Sequence, residues 1–535
     1  MGRLCGRYSQ VIEPNKGLFI LNHHFLYLSN MKSALNMCFL FLMTSASAQV
    51  DVTLFDRHID AQGAHILEEF VSLLEIPNVT YDLANINKNA QYIMGKLTDR
   101  GVSTQLLEHP GTPPIVYGYL ASKKATRTLA FYVHYDGQPV DKTRWKHDPW
   151  TPKMYNQSMT NGGVEIPYPK VGEKIYPESR IYARSAGDDK GPIISILAAI
   201  DAIQSEGIKP TSNLVFFFEG QEEAGSGHLR SYLENHSELL EAIDLWMFCD
   251  GPIHQSRKPQ LVFGVRGVTG FEITTYGSNR SLHSGHYGNW APVPGQILSS
   301  LIASMKDKNG NVSIEGFYDN VDPLTPYEIE SMANIPKIDT QLKKELGINN
   351  TEGSETLYER LLYPSLTIKG INSGNVGSKA RNVIPASATA SIGIRLVKGN
   401  DPDKMIDLVE KHIVKQGYHI VREDPNEATR LAFPKIAKVV REQGYPAART
   451  SMSNPYAQQI IARVKEVAGN DLILLPTLGG SLPLYLFTDV LKKPALVVPI
   501  ANHDNNQHAA NENICIENLW YGIKLMGAIM TMPPE

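Results

Sequence analysis

The chain has 535 residues, 42% of them hydrophobic, enough for a large core and two domains or more. Its formal charge is −4, with no long run of one sign, which gives no support for nucleic-acid binding or for a basic membrane patch. Four cysteines, Cys5, Cys38, Cys249 and Cys515, include no CxxC pair and no disulfide framework.

From Met31 the chain reads MKSALNMCFLFLMTSASAQV. A lysine, an apolar stretch over 34–43 and the small-x-small pattern Ala46-Ser47-Ala48 predict a signal peptide over 31–48, cut near Ala48/Gln49. The apolar stretch is too short to span a bilayer, so stable membrane insertion is not expected. Residues 1–30 read as an upstream mis-start. The expectation is an exported protein, periplasmic or secreted, whose two remaining cysteines suit an oxidising compartment.

Beyond Gln49, strand and helix signals alternate. Residues 68–74 lie in a helical pattern, and 129–133 (LAFYV) form a continuous apolar run, as expected of a strand buried on both faces. A helix opens at 192–200, and further apolar runs follow at 214–218 (LVFFF), 245–248 (LWMF) and 495–499 (ALVVP). This order predicts an α/β fold with a mainly parallel sheet flanked by helices. The middle differs: 270–276 and 388–396 alternate polar and apolar residues, as strands with one wet face do, and 403–416 is helical. A small α+β domain at about 265–430 is therefore predicted, inserted into a larger domain made of 49–264 and 431–535. Residues 304–362, rich in charge, Asn and Gly, read as an embellishment.

Each apolar run of the larger domain leads into residues of metal-ligand type. His134-Tyr135-Asp136-Gly137 follows the first, Glu222-Glu223 the second and Cys249-Asp250-Gly251 the third. The fourth leads to His503-Asp504-Asn505-Asn506-Gln507-His508, and Asp188-Asp189 precedes a helix. Sites in open parallel sheets form outside the carboxyl ends of the strands, so these residues can converge. Carboxylates and imidazoles are ligands that zinc accepts. Singly, each cluster has an ordinary reading as a turn or an N-cap; five together at strand and helix mouths do not.

These residues also carry a family resemblance. HYDGQPVD (134–141), YARSAGDDKGP (182–192), FFEGQEEAGS (217–226), Cys249-Asp250, LHSGHYG (282–288), NVIPASATASIGIRLV (382–397), GGSLP (479–483) and NNQHAANE (505–512) follow one another in order. Over about 60–530 the set resembles the carnosinase, carboxypeptidase G, aminoacylase and acetylornithine deacetylase superfamily of dizinc peptidases. It is most similar to the carnosinase and cytosolic dipeptidase branch.

The resemblance implies a catalytic domain with an inserted ferredoxin-like lid that also dimerises. It implies two divalent metal ions per chain, with zinc the default and manganese or cobalt accepting the same ligands. His134 and Asp250 would hold one metal, Glu223 and His508 the other, and Asp188 would bridge them. Glu222 would be the general base and Asp136 would orient the His134 ring. His283, delivered from the lid of the partner subunit in a homodimer, would stabilise the oxyanion. Arg395 would clamp the substrate carboxylate, with Gly480, Ser481 and Asn382 beside it. The implied reaction is hydrolysis of dipeptides or short peptides with a free C-terminal carboxylate by a metal-bridged hydroxide. The alternative is deacylation of N-acyl amino acids on the same dizinc site; a binding relative without catalysis would have lost ligands, and all are present.

Some details depart from the family pattern. Ala186-Gly187 precedes the Asp pair where relatives often have a hydroxyl residue, and Asn382 stands where that branch often has Thr. His503 competes with His508 as ligand, although HAANE favours His508. Six N-x-S/T sequons occur, including Asn78 and Asn235, which would matter only in a eukaryotic secretory pathway.

Overall fold

The computed structural model describes residues 51–123 and 125–533. The segment read as a signal peptide lies outside the described residues.

Strands Thr128–His134, Asn213–Glu219, Leu245–Phe248 and Ala495–Val497 lie side by side and parallel at the centre of an eight-stranded sheet. Every residue of Thr128–His134 is buried. Successive side chains face opposite layers, as strand geometry requires. Phe131, Val133, Phe216 and Phe218 pack beneath the helices Thr53–Leu74, Lys190–Ser205 and Ile516–Met530. Tyr132 and Phe217 enter the opposite layer with Trp246, Phe248 and Phe487. Complete burial of each phenylalanine contributes roughly 2–3 kcal/mol, which anchors the strand ends that carry the acids. The outer strands Ser103–Leu107 and Ile115–Leu120 run antiparallel to their neighbours.

The second sheet is a separate, mostly antiparallel layer. Its order is Ser365–Asn372, Ser387–Leu396, Gly267–Tyr276, Ile436–Tyr445 and His419–Val421. Helices Pro294–Ala303 and Pro402–Lys415 cover one face, where Phe271, Ile273, Ile392 and Ile394 form a core with Leu298 and Val409. The succession Gly267–Tyr276, helix, Ser365–Asn372, Ser387–Leu396, helix, Ile436–Tyr445 has the ferredoxin-like order. The sheet thus extends past the limit of 430 expected from sequence. Ile436–Tyr445 pairs along Gly267–Tyr276, although only three of its ten residues are buried. Residues 304–362 contain the helices Pro326–Ala333, Asp339–Leu346 and Leu357–Arg360, the first and last closed by capping boxes.

Cys249 and Cys515 are buried free thiols. Among the described residues no helix is long and apolar enough to cross a membrane.

Candidate metal centre

Strand register places the acids. Phe218 pairs with Val133 and Glu219 with His134, so the turn over 220–223 leaves the sheet beside the imidazole. Tyr132 pairs with Phe248, and Asp250 lies two residues further on. Asp188 arrives from the loop ahead of the helix Lys190–Ser205, with a cis peptide to Asp189. Gly137 allows this loop to close: a Cβ there would lie 2.3 Å from Ser185 Oγ and 3.0 Å from Asn78 Nδ2.

Two groups of ligand atoms result, and they share one residue. His134, Asp188 and Asp250 each present an atom within 4.8 Å of the others, and so do Asp188, Glu223 and His508. His134 Nε2 lies 2.9 Å from Asp188 Oδ1, and His508 Nε2 lies 3.1 Å from Asp188 Oδ2 and 3.3 Å from Glu223 Oε2. His503 is exposed and belongs to neither group. Asp136 sits behind them, its Oδ1 3.4 Å from His134 Nδ1. Its carboxylate accepts from the backbone N–H groups of Glu222 and Glu223, both at 3.1 Å, and from Thr80 Oγ1 at 2.7 Å. One buried acid therefore fixes both the His134 imidazole and the turn carrying the glutamate pair.

The electrostatics calls for positive charge. Burial, then the Asp188 carboxylate, pushes Asp250 up to about 6 and Glu223 up to about 7. Burial, with repulsion from Asp250, Glu223 and Asp188, holds Glu222 well above the usual carboxylate range. Burial works against ionised Asp188 too, but hydrogen bonds to His134 and His508 outweigh it and hold its pKa below that range. Burial disfavours the charged His134 ring, yet Asp136 and Asp188 raise its pKa well above the ordinary value. Asp250 Oδ1 is buried and makes no hydrogen bond. Crowded acids, an orphaned carboxylate oxygen and a nitrogen–oxygen donor set all fit two divalent cations.

Several supporting residues were not singled out from sequence. Glu512, fully buried, accepts from the backbone N–H groups of Ser185, Gly187 and Asp188 at 3.0–3.1 Å and from Arg184 Nη1 at 2.6 Å. It holds the loop that presents Asp188, in which Ser185 has the left-handed φ of +62°. His508 itself has φ +61°, a conformation that costs a non-glycine residue about 1 kcal/mol or more. Gln138 Nε2 donates to Glu223 Oε2 at 2.8 Å. Tyr132 Oη donates to the buried Glu219 carboxylate behind the turn. Asn78, read above as a glycosylation sequon, is fully buried; its amide donates to Tyr135 O and Ser185 Oγ at 2.8 and 2.9 Å. The folded protein offers no glycan acceptor there, because this amide nitrogen is already used inside the site.

The expected substrate residues fall into two places. Arg395 Nη1 donates to Ser481 Oγ at 2.5 Å, and Gly480 O accepts from Arg266 N at 3.1 Å, so the lid strand meets the 479–483 loop. His283 and Asn382 sit apart, on a small lid ribbon formed by Leu282–His283 and Val383–Ile384. Both are exposed, and His283 Nδ1 accepts only from Gly285 N at 3.1 Å. Neither belongs to the ligand groups around Asp188.

Comparison with known proteins agrees with this geometry. The chain is 28% identical over 480 residues to the Cys-Gly metallodipeptidase dug1 of Schizosaccharomyces pombe, covering 86% of this chain and 94% of that one. It is 26% identical over 429 residues to the Beta-Ala-His dipeptidase of Homo sapiens, covering 78% and 76%. Among solved structures, the M20 family metallo-carboxypeptidase Sso-CP2 from Sulfolobus solfataricus superposes with a TM-score of 0.70 at 28% identity, covering 87% of this chain and 98% of that one. These relatives correct the expectation of export: a signal peptide and a periplasmic or secreted location are not supported. The model of Peptidase family M20/M25/M40 matches residues 130–532, three quarters of the sequence, and the chain belongs to that family of metal-dependent peptidases.

Proposed function

We propose that the chain hydrolyses the peptide bond of dipeptides and short peptides with a free C-terminal carboxylate, using two zinc ions. The observation that carries this reading is the pair of ligand groups joined at Asp188, with Glu222 beside them. His134, Asp188 and Asp250 would hold one ion, and Asp188, Glu223 and His508 the other. When bound, such ions polarise a carbonyl and acidify water.

The remaining chemistry belongs to the chain. Glu222, with its pKa raised by burial and neighbouring acids, is suited to take a proton from the attacking water and return it to the leaving amine. Asp136 keeps Glu222 and Glu223 in register through their backbone N–H groups. Arg395, steadied by Ser481, offers a planar fork to the substrate carboxylate, with Gly480 and Asn382 completing that end. His283 is exposed on its ribbon, so it would act across a homodimer as the oxyanion donor of the partner's site. The lid, expected at about 265–430 and continued by the strand Ile436–Tyr445, would supply the dimer contact.

The test is turnover of a dipeptide panel, with N-acetyl amino acids alongside, by the wild type and Glu222→Gln. The expected result is dipeptide cleavage by the wild type and a loss of roughly 10²–10⁴-fold in kcat for Glu222→Gln, with metal content unchanged. Cleavage of acetylated amino acids alone, or full activity in Glu222→Gln, would contradict it.

A further inference from the structure

A second site lies outside the metal centre. Beneath the 304–362 segment, against the start of the lid's edge strand, is a cavity of about 300 Å³. That is the lower end of the range for small-molecule sites. Its walls are largely aliphatic, with Val312, Leu342, Leu361 and Leu366 among them.

Arg266 forms part of one wall and is only 6% exposed. Its Nη2 donates to Tyr363 O at 2.9 Å and Ser365 Oγ at 3.0 Å, both groups of the cavity wall. Its Nε is buried without an acceptor, and among the described residues no carboxylate pairs with it. Two other cations of the wall are neutralised, Lys306 by Glu352 at 2.7 Å and Arg360 by Glu355 at 3.5 Å; Lys343, half-buried on the helix Asp339–Leu346, also lines it. Burial, then the neighbouring Arg395, pulls the Arg266 pKa down to about 10, so the group remains a cation at neutral pH. A buried cation without a counter-charge is costly. The missing partner is an anion, and the aliphatic walls ask that the rest of it be apolar.

We propose that this cavity binds a small monocarboxylate with an apolar body, its carboxylate on Arg266 and its hydrocarbon against Leu342 and Leu361. A single guanidinium matches one carboxylate in charge and in planar shape. Short branched fatty acids have this chemistry, and free apolar amino acids offer the same carboxylate and hydrocarbon with an added α-ammonium. The site borders the substrate loop without belonging to it. Arg266 N bonds Gly480 O, and a Cβ on Gly479 would lie 3.2 Å from Leu361 Cδ2.

The test is calorimetric titration of the full chain with 4-methylpentanoate, L-leucine and the neutral 4-methylpentanol. At least one carboxylate is expected to bind one per chain, and the alcohol at least about tenfold more weakly, the worth of a charged hydrogen bond. The acid that binds more tightly identifies the source. Affinity should fall at least about tenfold in Leu342→Trp, which fills the cavity from the helix Asp339–Leu346 and leaves Arg266 intact. Arg266→Gln should remove the preference for acid over alcohol, and Arg395→Met should leave binding unchanged. Absence of binding by both acids at millimolar concentration would overturn the proposal. So would binding unaffected by Leu342→Trp in a normally folded variant, or binding lost in Arg395→Met.

Discussion

Around Asp188, the polar groups that aim the site are held within one chain. Asp136 fixes the glutamate turn, Glu512 fixes the aspartate loop and Gln138 steadies Glu223. On the lid ribbon, His283 and Asn382 are exposed, and their hydrogen bonds stay within the ribbon. The groups around Asp188 are held by hydrogen bonds from buried partners, whereas His283 and Asn382 are held only locally. Fixed positions suit ligands that must match an ion's geometry. Groups that must admit and release a peptide can be more loosely held.

Mixing variants would break this comparison most severely. His283→Ala is expected to lose about 10²–10³-fold in kcat while keeping its metals. Combined and reassembled with Glu222→Gln, it should regain activity, because a mixed dimer joins one intact Glu222 to the partner's His283. No recovery in a proven mixed dimer would place His283 outside the partner's site. A smaller effect is expected inside the rigid half. Glu512→Gln turns an acceptor of three backbone N–H groups into a part-donor, and metal affinity should fall roughly 10–100-fold with the fold retained; competition with a chelating dye measures it.

The smallest effect concerns pH. The folded pKa values of Asp250 and Glu223 are raised to about 6 and about 7, so protonation of these acids stabilises the metal-free fold. That stability is full below their unfolded values and is lost as pH rises through 6 to 7. Chelated protein should therefore lose on the order of 3 kcal/mol per group between about pH 4 and pH 7. Metal-loaded protein should not, and its ions should leave as pH falls below about 6. Denaturant melts with and without chelator between pH 4.5 and 8 follow both signs.

Much of this was legible from the chain alone, for a physical reason. A strand buried on both faces cannot hide its hydrophobic run, and candidate ligands follow these runs, as FFFEGQEE shows. The small α+β domain declared itself through period-two alternation at 270–276 and 388–396, and its ferredoxin-like character followed only from the family resemblance. The supporting groups left no such trace. Glu512 reaches Arg184 across 328 positions, so no local pattern marks it. Asn78 has the form of a sequon, and only tertiary packing turns it into an internal clamp. Ile436–Tyr445 was missed because mostly exposed residues blur its alternation. The N-terminal leader reading relied on a local pattern that the fungal relatives do not support.

The central claim is that one carboxylate joins two metal sites, and metal stoichiometry tests it most directly. Elemental analysis of purified protein should give two divalent ions in the wild type, one in Asp250→Asn, one in His508→Ala and none held tightly in Asp188→Asn. Two ions retained in Asp188→Asn, or only one in the wild type under metal-replete conditions, would contradict the shared bridge.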